Sequence, residues 1–239
     1  MVGSPAHPIY PAMTETLILA AILIPCLIVA IVFHEVAHGW TALALGDPTA
    51  KEQRRLSLNP IRHVDPVGTV IVPGALALFG GPVFGWAKPV PVRQNRLDNP
   101  RYGMMAVAAA GPASNLLMAL IAAVALGFVA ATLTAPPGAV LTWVLTGLNY
   151  FIVINIFLAL FNLLPIPPFD GSHIVQGLLP RSMAAQYAKL QQVGMFLLIA
   201  LIAITWAFPD SGIIENVVLP PVEWLRDKYM ALAFWIAGG

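Results

Sequence analysis

The stretch Thr16–Gly46 reads TLILAAILIPCLIVAIVFHEVAHGWTALALG, an apolar run interrupted by a His-Glu-x-x-His sequence at His34, Glu35 and His38. At 1.5 Å per residue, a helix over this run is about 45 Å long, which exceeds the ~30 Å of a bilayer core. The stretch therefore predicts a membrane-spanning helix that tilts, bends at Pro25, or places the polar cluster near one membrane face.

The two histidines of this run are four residues apart, so on a helix they share a face and can offer two imidazole nitrogens to one zinc ion. Glu35 is placed beside them, where a carboxylate can take a proton from water without binding the metal. The alternative is that the histidines are structural. Glu35 is the only acidic residue between Thr16 and Gly46, and an unpaired carboxylate in apolar surroundings costs several kcal/mol. The placement therefore favours a functional site.

Composition defines the class of protein. The chain is 59% hydrophobic and 10% charged, with a mean hydropathy of +0.81, whereas soluble domains have about a quarter of their residues charged. These values predict an all-α polytopic membrane protein whose surroundings are a lipid bilayer. A net charge of +1 without a basic run argues against a nucleic-acid partner. The single cysteine, Cys26, excludes a disulfide framework and a thiolate metal site.

The chain divides into three regions: an irregular lead-in at 1–15, a core at 16–180, and a C-terminal region at 181–239. Three further spans are expected after the first, at 104–134, 139–164 and 193–208, and a short helix at 172–180. The stretch Val222–Ile236 mixes charge and aromatic residues, which is typical of an interfacial amphipathic helix rather than of a span.

The segment 67–92 is expected to re-enter the membrane rather than to cross it. Its apolar part, 67–80, is too short to span and contains Pro73-Gly74, which predicts a buried, partly β-strand loop. Eight of the twelve basic residues lie between Lys51 and Arg101. With 67–92 re-entrant, residues 47–103 and 165–192 both face the cytoplasm and hold ten of the twelve, as the positive-inside rule favours. This topology places the histidines near the cytoplasmic side of the inner membrane.

A catalytic zinc site usually has three protein ligands and one open position. Asp170 is the only acidic residue between Asn99 and Pro209, and it follows a span at the same predicted side as the histidines. Its alternative role is to cap the next short helix. Other candidates for the third ligand are His173, His63 and Glu52, of which the last two lie in a polar, basic loop.

Two amides, Asn115 and Asn162, lie in or near apolar spans. Asparagines in membranes commonly hydrogen-bond between helices, with a contribution of about 1 kcal/mol. They could instead bind the backbone of a substrate whose helix has been unwound, since a peptide bond must leave its helical hydrogen bonds before it can be cleaved. The residues alone leave both roles open.

Three motifs occur in order along the chain: the His34–His38 sequence, Gly111-Pro-Ala-Ser-Asn115, and Asn162-Leu-Leu-Pro-Ile-Pro-Pro-Phe-Asp170-Gly171. Together they resemble the motifs of the site-2 protease family of intramembrane zinc metalloproteases, in particular its compact prokaryotic branch without PDZ or CBS domains. The resemblance implies a three-helix core, zinc on His34, His38 and Asp170, and Glu35 as the general base. It also implies that Asn115 and Asn162 hold the substrate strand.

The expected function is thus hydrolysis of peptide bonds in or near the transmembrane segment of a membrane protein or a signal-peptide remnant. Two rival functions remain. A transporter could use intramembrane His, Glu and Asp to relay ions, but it predicts repeats and paired broken helices that the sequence lacks. A catalytically inert zinc-binding membrane scaffold is consistent with every motif.

Overall fold

The computed structural model describes residues 9–78, 85–208, 212 and 214–239, with side chains described from Leu17 onward. In this part of the chain every regular element is helical. The α-helices are α1 Ile9–Ala44, α2 Thr49–Glu52, α3 Val72–Leu78, α4 Pro100–Ala131, α5 Ala139–Asn162, α6 Asp170–Leu178, α7 Arg181–Tyr187, α8 Gly194–Ala207 and α9 Leu219–Ile236. Short 3₁₀ or π turns are found at Pro60–His63, Pro66–Ile71, Gln94–Arg96, Ala188–Val193 and Ile214–Val218.

Within the described residues, four helical stretches are long and apolar enough to cross a membrane: Leu17–Ala44, Pro100–Ala131, Ala139–Asn162 and Arg181–Thr205. The chain is therefore a polytopic membrane protein, as its composition predicted. The first helix continues through Pro25. The last stretch begins at Arg181, twelve residues before the predicted start at 193, because the turns around α7 lead directly into α8.

The core is formed where α4 packs against both α1 and α5. Its closest part is lined by small residues of α4, Ala119, Ala122 and Ala123, which pack against the fully buried Ile152 and Ile156 of α5. Small side chains allow helix backbones to approach closely, and this is the main source of helix association in membranes. Helices α1, α4 and α5 therefore pack against one another as one unit.

Helix α9 lies against the same core. Val222 and Ala233 are buried on α4 and α5, and a Cβ atom at Gly127 of α4 would lie 2.6 Å from the Ala233 carbonyl oxygen. The opposite face of α9 exposes Trp224 and Trp235. The predicted helix at 222–236 is therefore present, while its depth relative to a membrane stays a prediction.

The β-strand expected within 67–92 is not present in the described residues of that segment. The chain is helical from Pro66 to Leu78, and residues 85–93 have no regular secondary structure; residues 79–84 lie outside the described part. Several backbone amides at 85–93 bond instead to α1 and to the loops after it: Val90 to the carboxylate of Glu35 in α1, Arg93 to the carboxylate of Asp47, and Lys88 to the carbonyl of His63. A strand needs a neighbouring extended backbone, and these partners satisfy such groups without one.

Candidate metal centre

His34 and His38 are buried on consecutive turns of α1, with 7% and 9% of their surface exposed. The Nδ1 atom of His38 lies 2.7 Å from the carbonyl oxygen of Val107, which can only accept. The Nδ1 atom of His34 lies 2.6 Å from the side-chain oxygen of Asn115. Both imidazoles therefore carry their proton on Nδ1, which leaves the two Nε2 lone pairs facing each other at 3.0 Å.

Asp170, the first residue of α6, brings a carboxylate to the same point. Its Oδ2 atom lies 3.1 Å from Nε2 of His34 and 3.3 Å from Nε2 of His38. One possible ligand atom from each of the three residues lies within 4.8 Å of the other two. Among the described residues, these three form the group that could hold a metal ion.

The donor set fits a zinc ion. Oδ2 of Asp170 is buried without a hydrogen bond, and the two nearest atoms are imidazole nitrogens that offer lone pairs. A cation placed between them would satisfy all three electron-pair donors at once. Ligands placed tetrahedrally at about 2.0–2.1 Å from zinc are about 3.3 Å from one another, which matches the observed separations.

Glycines allow both helices that flank the cluster to approach it. A Cβ atom at Gly111 of α4 would lie 2.5 Å from Nε2 of His38 and 2.6 Å from Cε1 of His34. A Cβ atom at Gly171 would collide with the carbonyl oxygen of Leu163 at the end of α5. The glycines of the second and third motifs thus bring α4 against the histidines and place Asp170 at the start of α6.

Glu35 lies beside the cluster without joining it. Its Oε2 atom accepts a 2.7 Å hydrogen bond from the backbone amide of Val90. Val90 belongs to the irregular segment at 85–93, so this segment holds the carboxylate. The arrangement leaves Glu35 partly exposed, as a proton acceptor that must reach water requires.

The two predicted substrate-binding amides differ in position. Asn115 is fully buried, with its oxygen on His34 and its nitrogen on the carbonyl of Ala30 and on Asn155. Asn162 is partly exposed and donates to the Leu158 carbonyl of its own helix. Substrate contact by either amide stays a prediction, whereas the contact of Asn115 with a histidine of the cluster is observed.

Sequence reasoning missed Asn155, which is fully buried behind Asn115. The available signal was a third amide within an apolar helix, seven residues before Asn162. Its partner across the helix interface could not be inferred from α5 alone.

The other candidate ligands lie apart from the cluster. Nδ1 of His173 pairs with the side-chain amide of Gln191, and burial lowers the pKa of His173. Nε2 of His63 bonds to the carbonyl of Ser57, and Glu52 forms an ion pair with Arg96. Each of these side chains has a structural partner, which leaves Asp170 as the acidic residue beside the histidines.

Comparison with known proteins finds relatives described as zinc metalloproteases. The profile of Peptidase family M50 matches residues 128–204. The "Putative zinc metalloprotease YwhC" of Bacillus subtilis (strain 168) is 40% identical over 201 residues, covering 80% of this chain and 86% of that protein. Two proteins with the same description also match. Rip2 of Mycolicibacterium smegmatis is 26% identical over 80% of the chain and 74% of its own length, and MJ0611 of Methanocaldococcus jannaschii is 41% identical over 29% of the chain and 32% of its own length.

No solved structure matches the chain with statistical significance. The extent and identity of the match to the Bacillus protein nevertheless decide the classification. The chain belongs to Peptidase family M50, the site-2 protease family of zinc metalloproteases.

Proposed function

We propose that this protein is an intramembrane endopeptidase that cleaves transmembrane segments of membrane proteins, or signal-peptide remnants, near the cytoplasmic face of the inner membrane. The observation that carries the proposal is the convergence of three electron-pair donors, from His34, His38 and Asp170, within an apolar helix bundle. His34 lies ten residues before the end of α1 at Ala44, a distance of about 15 Å along the helix. His34 thus lies within the candidate span Leu17–Ala44, nearer to its C-terminal end than to its N-terminal end.

His34, His38 and Asp170 would hold the zinc ion. When bound, zinc supplies Lewis acidity, which activates a water molecule and polarises the carbonyl of the scissile peptide bond. Glu35 would accept the proton of the attacking water and return it to the leaving amine. The Val90 amide keeps the Glu35 carboxylate oriented during both transfers.

The substrate must reach the cluster as an extended chain, because a peptide bond inside a helix is hydrogen-bonded and shielded. Asn162 remains our candidate for a backbone contact, since its side chain is partly exposed beside the Pro-rich turn that leads to Asp170. Asn115 would act by orienting His34, unless a bound substrate displaces the Asn115 side chain from its present hydrogen bonds.

The proposal is tested with the Glu35→Gln variant, which preserves side-chain volume but cannot accept a proton. Cleavage of a transmembrane reporter in liposomes should fall by 10²–10⁴-fold or more, because loss of a general base typically has this effect. Zinc content, measured on the same samples, should stay at about one ion per chain. Cleavage within threefold of wild type by the zinc-loaded variant would remove Glu35 from the mechanism and would leave the inert scaffold as the better description.

Topology is tested separately with single cysteines introduced at the exposed positions Lys51, Asn95 and Pro137 in a Cys26→Ala background. The first two should be labelled only from the cytoplasm and the third only from outside. The structure supports this arrangement, because the amide of Asp98 bonds to the carbonyl of Leu45 and so joins the two basic regions at one end of α1. Labelling of Lys51→Cys and Asn95→Cys from opposite sides would mean that 67–80 crosses the membrane.

A further inference from the structure

A chain of buried side-chain amides crosses the three core helices behind the metal cluster. It begins at Nδ1 of His34 on α1, passes through Asn115 on α4 at 2.6 Å, and reaches Asn155 on α5 at 2.8 Å. Both asparagines have no exposed surface. No charged group takes part, so the chain consists of neutral hydrogen bonds within an apolar core.

The direction of every hydrogen bond in this chain is fixed by two backbone carbonyls, which can only accept. The Phe151 carbonyl receives the Nδ2 donor of Asn155 at 2.8 Å, which turns the Asn155 oxygen toward Asn115. The Ala30 carbonyl receives the Nδ2 donor of Asn115 at 3.2 Å, which turns the Asn115 oxygen toward His34. Nδ1 of His34 must then donate, and its Nε2 lone pair is left for the cluster.

We propose that Asn155 is a positioning residue for the metal centre, which acts through Asn115 to fix the protonated nitrogen and the ring orientation of His34. The inference rests on the proposed function only in taking His34 as a zinc ligand. Asn115 uses both hydrogens of its amide, one on Ala30 and one on Asn155. Removing the second acceptor leaves a buried N–H without a partner, which favours rotation of the amide away from His34.

Asn162 provides a matched control on the same helix. Both α5 asparagines donate to the carbonyl four residues earlier, Asn155 to Phe151 and Asn162 to Leu158. Only Asn155 also accepts from Asn115. A change at Asn162 therefore tests the loss of an amide and its local hydrogen bond without the connection to His34.

The experiment measures the zinc dissociation constant of the purified full-length protein by competition with a chelator. Outer partners of metal-binding histidines typically contribute 10- to 100-fold to affinity. We expect Asn155→Leu to weaken zinc binding about tenfold and Asn162→Leu to change it by less than twofold. In an Asn115→Leu background, Asn155→Leu should add less than twofold, because its route to His34 is already broken.

Two further measurements separate positioning from a general loss of stability. The melting temperature of the zinc-free protein reports how much each substitution destabilises the fold itself. Adding zinc raises the melting temperature, and the stabilisation that this rise reflects should be smaller by about 1.4 kcal/mol for a tenfold loss of zinc affinity. The carboxyl introduced by Asn155→Asp stays protonated in this apolar core, so it can donate to the Phe151 carbonyl and accept from Asn115, and zinc affinity should stay within threefold of wild type. This variant and Asn155→Ala decide the question if Asn155→Leu does not fold.

The inference is overturned if folded Asn155→Leu or Asn155→Ala binds zinc like the wild type. It is also overturned if the loss is equally large in the Asn115→Leu background, or if Asn155→Asp loses as much as Asn155→Leu. Failure of the wild-type protein itself to bind zinc would instead remove the proposed function. The two failures are therefore distinguishable.

Discussion

Replacing Gly111 by alanine should weaken zinc binding by about 100-fold or more while leaving the helix bundle folded. The added Cβ atom would lie 2.5 Å from both Cε1 and Nε2 of His38 and 2.6 Å from Cε1 of His34, whereas ordinary contacts begin at 3.4 Å. Each ring must therefore move by about 0.9 Å, the difference between 3.4 and 2.5 Å. Metal–ligand distances tolerate only about 0.2 Å, so both histidines would leave productive geometry together.

The effect on folding should be small by comparison. Alanine is favoured over glycine inside a helix by about 1 kcal/mol, and overpacking costs typically 1–3 kcal/mol. These two effects largely offset each other in the zinc-free protein. We therefore expect zinc affinity to fall by about 100-fold or more with a modest change in the melting temperature measured in chelator.

The assay is chelator competition for zinc, with circular dichroism as the check on helix content. Gly147→Ala in α5 is the matched control, because its Cβ atom would lie 3.6 Å from Ile22, an ordinary contact. It should bind zinc like the wild type. Zinc affinity within threefold of wild type for Gly111→Ala would refute the reasoning, since it would mean that α4 does not pack against the two rings as described.

Two further predictions concern the third ligand and the end of α1. Asp170→Ala should lose zinc sharply, whereas His173→Ala should keep it; the reverse result, read from zinc content per chain, would assign the ligand role to His173. Asp47 is buried, which raises its pKa, but hydrogen bonds from Thr49 and the Arg93 amide outweigh this and lower it below the usual range. A carboxylate whose pKa is lowered by folding stabilises the folded state at pH values above its unfolded-state pKa of about 3.9. This stabilisation is lost as the pH falls through the folded-state pKa, so Asp47→Asn should melt lower than wild type at about pH 5–7. The difference should shrink below about pH 4; a difference independent of pH down to 3 would contradict the assignment.

The sequence alone was sufficient to predict the membrane spans and to predict that His34 and His38 lie on one helix face, because both depend on local sequence patterns. A long apolar run has few structures open to it in a bilayer, and a four-residue spacing places two side chains on one helix face whatever the helix contacts. Asp170 was inferred by elimination, since acidic residues near apolar spans are few. The structure brings Asp170 within 3.3 Å of both histidines and thus agrees with that inference.

The tertiary structure was needed wherever a residue's role depends on a different helix. Two features have no signal in the local sequence, because each depends on how α4 crosses its neighbours. They are the closeness of Gly111 to the imidazole rings and the connection from Asn155 through Asn115 to His34. For the same reason, the strand expected within 67–92 was wrong for its described residues. The short apolar length and the Pro73-Gly74 pair predicted a partly β-strand loop, but a strand forms only if another extended chain lies alongside. At 85–93 the backbone amides instead reach side chains and carbonyls of α1 and its following loop.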